Sequence, residues 1–184
     1  RYIIATCEKG EVEKVEEEGR SGYGFEDELM RIVWFTGPQQ FEFVLWNKTE
    51  HSMKIPWDEA AYVDAQGLSQ RVIHGGVKLA DVGAPQPPSV IVGGGMFSDL
   101  VYPASYVRYI DEWVQDPLFP WHFARTASAQ ADAGIGEWEE QVTAQTGSRV
   151  QVLLPIQIQD VINEYLFTFT VVSAEVHREV HRLE

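Results

Sequence analysis

Short segments in which apolar and polar residues alternate, separated by turn residues, constrain the fold of this chain more than any other feature. The clearest are SRVQVLLPIQIQ (148–159) and NEYLFTFTVV (163–172). A period of two is typical of β-strands with one buried face, whereas an amphipathic helix needs a spacing of three or four. Many such segments in one chain predict a mostly antiparallel β-sandwich with Greek-key connections.

Other segments predict specific strand pairs. In FEFVLW (41–46), the alternation predicts one face with Phe41, Phe43 and Leu45 and another with Glu42, Val44 and Trp46. We expect this strand to pair with residues 53–57, which also alternate. Residues 60–74 predict a strand, a turn around Asp64–Gly67 and a second strand, because glycine accepts positive φ. VIV (90–92) and MFSDLVYP (96–103) flank three glycines and predict another hairpin.

The alternation stops between residues 104 and 147. Helix-like spacing around 105–115 and 136–146 predicts a partly helical insertion in the sandwich, since a structureless loop of this length is unusual. The insertion carries five large aromatic residues: Trp113, Phe119, Trp121, Phe123 and Trp138. They either cap an open end of the sandwich or form a contact surface for a partner.

The predicted organisation has three parts. Residues 1–29 form a charged, glycine-punctuated arm outside the core, and residues 30–172 form the β-sandwich domain with its insertion. Residues 173–184 form a C-terminal tail. In the tail, Val176, Val180 and Leu183 have helical spacing, so a short helix and an extension of the last strand both remain open.

Composition excludes several functional classes. The net charge is −14, from 28 acidic and 14 basic residues, and no basic stripe interrupts it, so nucleic-acid binding is not expected. Cys7 is the single cysteine, which excludes an intrachain disulfide and zinc sites built on paired cysteines. Its position after a short apolar run makes it a weak candidate for lipid attachment. No segment reaches the ~20 apolar residues of a membrane-spanning helix.

No motif predicts a metal site. Asp58, Asp64 and His74, with His51 nearby, are the best metal constellation, but Asp58 and Asp64 lie at opposite ends of one predicted strand, ~20 Å apart. Asp64 is better explained as the residue that starts the following turn. His177 and His181 would share a helix face without a third ligand.

No motif predicts catalysis either. Gly93–Gly95 has no following helix and reads as a turn, and HGG (74–76) has no accompanying G-x-S-x-G nucleophile. The acidic pairs Asp111-Glu112 and Glu139-Glu140 read as surface charge, because adjacent residues do not face one another as paired catalytic carboxylates do. We expect no catalytic residue, metal or cofactor.

Over half of the chain resembles a known group of proteins. The stretches are FVLWNKTEHSMKIPWDEAAYVDAQGLSQRVIHGG (43–76), PQPPSVI (85–91), DLVYP (99–103), VLLPI (152–156) and YLFTFTV (165–171). They resemble small bacterial envelope lipoproteins and secreted proteins with an immunoglobulin-like β-sandwich, mostly of unassigned function. The resemblance implies an extracytoplasmic bacterial protein and provides no catalytic residues.

These observations lead to two functional hypotheses. The first is a non-catalytic, extracytoplasmic accessory or structural subunit that docks onto a larger envelope or membrane complex, such as a photosynthetic, respiratory or filament assembly. Its contacts would come from the aromatic residues of 104–147, with the acidic N-terminal arm as a further contact region. The second is a β-sandwich module that binds a small ligand or carbohydrate, since exposed tryptophans stack on sugar rings. A hydrolase using Glu139 or Glu140 ranks third.

Overall fold

The computed structural model describes residues 2–17, 19–116, 118 and 144–172. Within these residues the fold is mostly antiparallel β, as predicted, with three 3₁₀ turns at Trp57–Glu59, Leu79–Asp81 and Ala104–Tyr106. None of the described helices is long and apolar enough to cross a membrane. The described strands are β1 (Tyr2–Cys7), β2 (Val12–Glu17), β3 (Arg20–Glu26), β4 (Met30–Thr36), β5 (Phe41–Asn47), β6 (Met53–Ile55), β7 (Ala61–Val63), β8 (Ser69–His74), β9 (Ser89–Ile91), β10 (Met96–Pro103), β11 (Val107–Tyr109), β12 (Trp113–Gln115), β13 (Arg149–Ile158) and β14 (Val161–Val171).

Twelve of these strands belong to one continuous hydrogen-bonded sheet. Its main order is β1-β14-β13-β7-β8-β10-β5-β4-β3-β2, while β6 pairs with β13 and with β9. The pairings are antiparallel. Strand β8 lies between β7 and β10 and so connects the two halves of the sheet. Strands β11 and β12 form a separate two-stranded hairpin.

Aromatic rings from the two halves of the sheet meet in the core. Trp34 on β4 contacts Phe167 and Phe169 on β14, with ring centroids 5.2 Å and 5.5 Å apart. Phe41 on β5 stacks on Phe169 at 4.2 Å. Since β4 and β5 have no hydrogen-bonded pairing with β14, these contacts cross between two facing layers. Edge-to-face and stacked aromatic pairs of this kind add to the free energy gained by burial.

The predicted alternation is confirmed in the strands that build this core. In β5, Phe41, Phe43 and Leu45 are buried while Glu42, Val44 and Trp46 are only partly covered. The same pattern buries every second residue of β14 from Tyr165 to Val171. The predicted hairpin of residues 60–74 is also confirmed, because β7 pairs with β8 and Gly67 takes a φ of +84°.

Two arginines cover aromatic rings on the outer face of β4 and β5. Val33 and Phe35 alternate with the core residues of β4 and are nevertheless buried. The Arg20 guanidinium lies 4.3 Å from the Phe35 ring, and Arg31 lies 4.4 Å from the ring of Trp46. Both arginines are also paired with glutamates at 2.8 Å and 2.7 Å. Cation–π stacking therefore shields apolar surface on a face that would otherwise meet water.

Two predicted strand pairings are wrong. Strand β5 pairs with β4 and β10 instead of β6. Strand β9 pairs with β6, so residues 90–92 and 96–103 do not form a hairpin. Alternation shows which side of a strand is buried but not which strand lies beside it. The three glycines do form a turn, in which a side chain on Gly93 would overlap the carbonyl of Glu50.

The N-terminal region differs from the predicted arm. Residues 1–29 include β1, β2 and β3, which extend the sheet at its two ends. Phe25 is buried in the core and contacts the rings of Tyr165 and Phe167 at 5.8 Å and 5.9 Å. Glutamate and glycine have low strand propensity, yet pairing with β4 and burial of Phe25 outweigh it. The tail at 173–184 lies outside the described residues, so its prediction stands untested.

The predicted helix at 105–115 is also wrong. The chain makes a 3₁₀ turn at Ala104–Tyr106 and then the β11–β12 hairpin, with Val107 opposite Gln115 and Tyr109 opposite Trp113. Valine, tyrosine and tryptophan favour strands, and this preference overrides a spacing that only resembles a helix. Most of the second predicted helix, at 136–146, lies outside the described residues. Of this segment the structure describes only residues 144–146, which form part of a turn.

A partly buried hydrogen bond ties the β3–β4 turn to the opposite layer. The Tyr165 hydroxyl donates to Asp27 Oδ2 at 2.7 Å, while Asp27 Oδ1 accepts the backbone N–H groups of Leu29 and Met30 at 2.8 Å and 2.9 Å. Tyr165 is fully buried. Burial, followed by the bond to Asp27, raises the pKa of Tyr165 well above its ordinary value. The phenol is therefore kept protonated as a donor.

Replacing this donor tests the link. Tyr165→Phe should lower the free energy of unfolding by about 1–3 kcal/mol at pH 7, measured by urea denaturation, because the bond has a charged acceptor. Since the folded-state pKa is raised, the contribution is fully present below the unfolded tyrosine pKa of about 10 and is lost as pH rises above it. The difference between wild type and variant should therefore narrow at about pH 11.

The matched control is Tyr109→Phe, which removes the hydroxyl of an exposed tyrosine. We expect it to change stability by less than about 0.5 kcal/mol at both pH values. Equal stabilities of the two variants at neutral pH would show that the Asp27–Tyr165 bond does not stabilise the fold.

Candidate functional site

The sequence-predicted site residues have different outcomes. Trp113 lies on β12, in the exposed hairpin. Phe119, Trp121, Phe123 and Trp138 lie outside the described residues, so their placement remains a prediction.

Cys7 ends strand β1, and its side chain is only 5% exposed. Burial raises the pKa of its thiol, against a smaller opposing effect from the backbone N–H of Lys9. A buried, protonated thiol is typical of a core cysteine.

The β11–β12 hairpin is held to the body by polar contacts at its base. Gln39 and Gln115 exchange side-chain to backbone hydrogen bonds at 2.8 Å in each direction. The backbone N–H of Leu118 donates to the carbonyl of Pro38 at 2.9 Å, and Leu118 is buried. Arg108 and Asp116 form two hydrogen bonds of 2.9 Å, joining the start of the hairpin to its end. The hairpin therefore has a defined position beside the β4–β5 turn.

The far end of this hairpin presents apolar side chains to solvent. Tyr109 is 64% exposed, Ile110 47% and Trp113 40%. Tyr109 and Trp113 are directly opposite in the strand register, and their rings contact edge to face with centroids 5.4 Å apart at 64°. Directly opposite residues share a face of a hairpin. We call Tyr109, Ile110 and Trp113 the hairpin cluster.

The described residues contain a second notable site, centred on His74 at the end of β8. Its Nδ1 lies 2.9 Å from Asp99 Oδ2, and its ring stacks on Trp57 with centroids 4.5 Å apart at 8°. Asp99 Oδ1 accepts the backbone N–H groups of Gly75 and Leu100 at 2.9 Å and 2.8 Å. Gly76 must lack a side chain, since a Cβ would stand 2.9 Å from His74 Cε1.

The connection between β8 and β9, residues 75–88, lies over this site and is fastened by polar side chains. The Gln86 side chain is buried, donates to the carbonyl of Val72 at 2.7 Å and accepts the N–H of His74 at 3.3 Å. Arg71 pairs with Asp58 at 2.7 Å and donates to the carbonyls of Val82 and Ala84 within the connection. These bonds hold the connection against β8.

The chemistry available at His74 is limited to proton exchange and hydrogen bonding. Nδ1 faces the Asp99 carboxylate and the backbone N–H of Gly76, and the other ring nitrogen makes no hydrogen bond to any described residue. The hydroxyl of Ser89 is hydrogen-bonded to Trp57, from which it accepts the indole N–H at 2.9 Å. The described residues therefore provide a positioned imidazole without a nucleophile bonded to it.

The metal constellation considered from the sequence is not assembled. Asp58 is paired with Arg71, and Asp64 accepts the N–H groups of Gln66 and Leu68 at 2.9 Å, as expected for a residue that starts a turn. Across the part of the chain that the structure describes, no three His, Cys, Asp or Glu side chains are grouped to hold a metal ion. His177 and His181 lie outside that part.

The pairing of His74 with Asp99 was not predicted from the sequence, where His74 was considered only as a metal ligand. The two residues are 25 positions apart and meet only because β8 pairs with β10, with Val101 opposite His74. No local motif signals this arrangement. The nearest sequence signal is the pair of glycines after His74, which allow the chain to pass close to the ring.

Removing the Gln86 amide tests how the connection is fastened. Gln86→Leu keeps the side-chain size but leaves the carbonyl of Val72 and the N–H of His74 without that partner, which should cost about 1–3 kcal/mol. We expect faster trypsin cleavage at the exposed Lys78, measured by limited proteolysis and mass spectrometry. Gln66→Leu, at an exposed turn position, is the control and should leave this rate unchanged. Equal rates would rule out a fastening role for Gln86.

Comparisons with known proteins identify no family. No protein-family model matches the chain, and no curated protein sequence matches it. A comparison with solved structures finds the crystal structure of a protein from Archaeoglobus fulgidus, at 13% sequence identity over 80% of this chain and 97% of that chain. Its TM-score is 0.29, which is too low to support an inference about fold or function.

Proposed function

We propose that this protein is a non-catalytic accessory subunit that docks onto a larger protein assembly through the β11–β12 hairpin. The observation that carries the proposal is the hairpin cluster, in which Tyr109, Ile110 and Trp113 remain 40–64% exposed on a hairpin whose base is fixed to the body. Tyrosine and tryptophan are enriched among the residues that dominate interface energetics.

The geometry of the hairpin suits a docking role. A fixed base means that little conformational freedom is lost when the exposed end binds, and such preorganisation favours affinity. The cluster is continuous in sequence with the aromatic residues Phe119, Trp121, Phe123 and Trp138, which we propose extend the same contact surface.

The setting of this interaction is also part of the proposal. The resemblance of residues 41–103 and 148–172 to bacterial envelope proteins supports an extracytoplasmic location, an immunoglobulin-like sandwich and an assembly associated with the cell envelope or a membrane. An antiparallel fold with two facing aromatic layers is compatible with that architecture.

The alternative functions have less support in the geometry. A carbohydrate-binding module would need a flat aromatic platform, but the rings of Tyr109 and Trp113 are inclined at 64° to one another. A hydrolase using Glu139 or Glu140 would depend on residues outside the part of the chain that the structure describes, and no described nucleophile is bonded to the His74 imidazole. Neither alternative is supported by a feature as exposed and as well anchored as the hairpin cluster.

The proposal is tested by isolating the protein from its native membranes or envelope fraction. The wild-type chain should co-purify with one partner in fixed stoichiometry, and cross-linking mass spectrometry should place the contact at residues 104–118. Tyr109→Ala combined with Trp113→Ala should reduce co-purification at least tenfold, because loss of central interface aromatics commonly costs about 2 kcal/mol or more each.

Met96→Ala provides the matched control, because Met96 is 60% exposed and lies on β10, away from the hairpin. It should leave co-purification unchanged. Urea denaturation should show that the double variant is folded. Unchanged co-purification of a folded double variant would rule out the hairpin as the docking surface.

A further inference from the structure

We infer that the surface bound by the hairpin cluster is an apolar groove on a partner protein bordered by lysine or arginine side chains. This inference rests on the docking function proposed above and names the chemistry of its partner. Its basis is the charge placed around the exposed aromatic rings.

The turn of the hairpin carries two acidic side chains beside the cluster. Asp111 and Glu112 are exposed and stand between Ile110 and Trp113, in a turn closed by a hydrogen bond of 3.1 Å from the N–H of Ile110 to the carbonyl of Glu112. Neither acidic residue has an ion pair with a cation among the described residues. A partner that buries the rings must therefore approach two uncompensated carboxylates.

The hairpin's own cation does not offset these charges. Arg108 is engaged at the base by Asp116, through two hydrogen bonds of 2.9 Å, and this pairing raises the pKa of the guanidinium further. Within residues 107–116 the formal charges are one arginine against three acidic residues. The hairpin as a whole therefore presents negative charge around an apolar centre.

The rest of the described surface strengthens the negative potential. Several cations are already paired with carboxylates, and the whole chain has a net charge of −14. A strongly acidic body attracts a basic partner over a distance and speeds its association. The paired cations are Arg20 with Glu42, Arg31 with Glu17, Lys48 with Glu26 and Arg71 with Asp58.

Two other occupants fit these charges less well. A bilayer would take the aromatic rings at its interface, but Asp111 and Glu112 would enter with them, and anionic headgroups would repel the body. A second copy of the chain would bring the same negative surface to the contact. A protein groove with a basic border satisfies both the apolar centre and the acidic rim.

The test labels the hairpin in intact cells of the source organism. Tyr109 is replaced by photoreactive benzoylphenylalanine, and the adducts are identified by mass spectrometry. In parallel, a carbodiimide, which joins carboxylates directly to lysine amines, is applied to the wild-type chain. Both reactions should join the hairpin to the same protein, and the carbodiimide links should run from Asp111 or Glu112 to its lysines.

Charge variants show whether the basic border matters. Asp111→Asn combined with Glu112→Gln, in the photoreactive chain, should lower the yield of the partner adduct about three- to tenfold, and raised salt should have a similar effect. Glu13→Gln combined with Glu16→Gln changes the net charge equally at exposed positions of β2 and should have a smaller effect.

The outcomes separate this inference from the proposed function. A protein adduct that is insensitive to the Asp111 and Glu112 substitutions and to salt overturns the basic border but leaves the docking function in place. Adducts to lipid, or to a second copy of the chain, overturn both. Absence of any adduct from Tyr109, with the chain folded, also overturns both.

Discussion

Contact between aromatic rings across the two layers is the interaction on which the rest of the structure depends. Trp34 and Phe41 come from one half of the sheet and Phe167 and Phe169 from the other. A sheet with one apolar face must cover that face, and here the same continuous sheet supplies the cover. Strand β8 makes this possible because it is hydrogen-bonded to β7 on one side and to β10 on the other.

The location of the two candidate sites follows from this arrangement. Because β8 and β10 are neighbours, His74 and Asp99 meet at the boundary between the halves, under the connection that Gln86 and Arg71 fasten. The β11–β12 hairpin lies outside the sheet and buries little of its own apolar surface. Exposed apolar residues on a fixed element mark a contact surface more strongly than scattered ones do.

The distribution of charge connects the sheet to the proposed interaction. Arginines that could have balanced the acidic surface are instead engaged with glutamates and stacked on aromatic rings, where they cover the outer face of the sheet. The remaining carboxylates, including Asp111 and Glu112, dominate the surface potential. Because these arginines are engaged on the outer face of the sheet, they do not offset the acidic charge, and this favours an electropositive partner for the hairpin.

Much of the fold was predictable from individual residues. The alternation in residues 41–46 and 163–172 identified the buried faces of β5 and β14, and Gly67 identified the turn between β7 and β8. Predictions of which strands lie next to each other were less accurate. The charged residues of β2 and β3 predicted an arm, but β3 pairs with β4 and β2 pairs with β3. Helical spacing at 105–115 predicted a helix where the chain forms a hairpin. From the sequence, Trp113 was predicted either to cap the sandwich or to contact a partner, whereas Tyr109 and Ile110 were not singled out.

The sequence by itself determined that the fold is mostly antiparallel β, which face of the long strands is buried and the acidic charge, because these depend on local periodicity and composition. The tertiary structure alone decided which strands are neighbours, and with them the pairing of His74 with Asp99 and the exposure of the hairpin cluster. The physical reason is that backbone hydrogen bonds between strands are the same for every residue type except proline. Register and neighbours are therefore selected by how the whole set of side chains packs, which no short segment specifies.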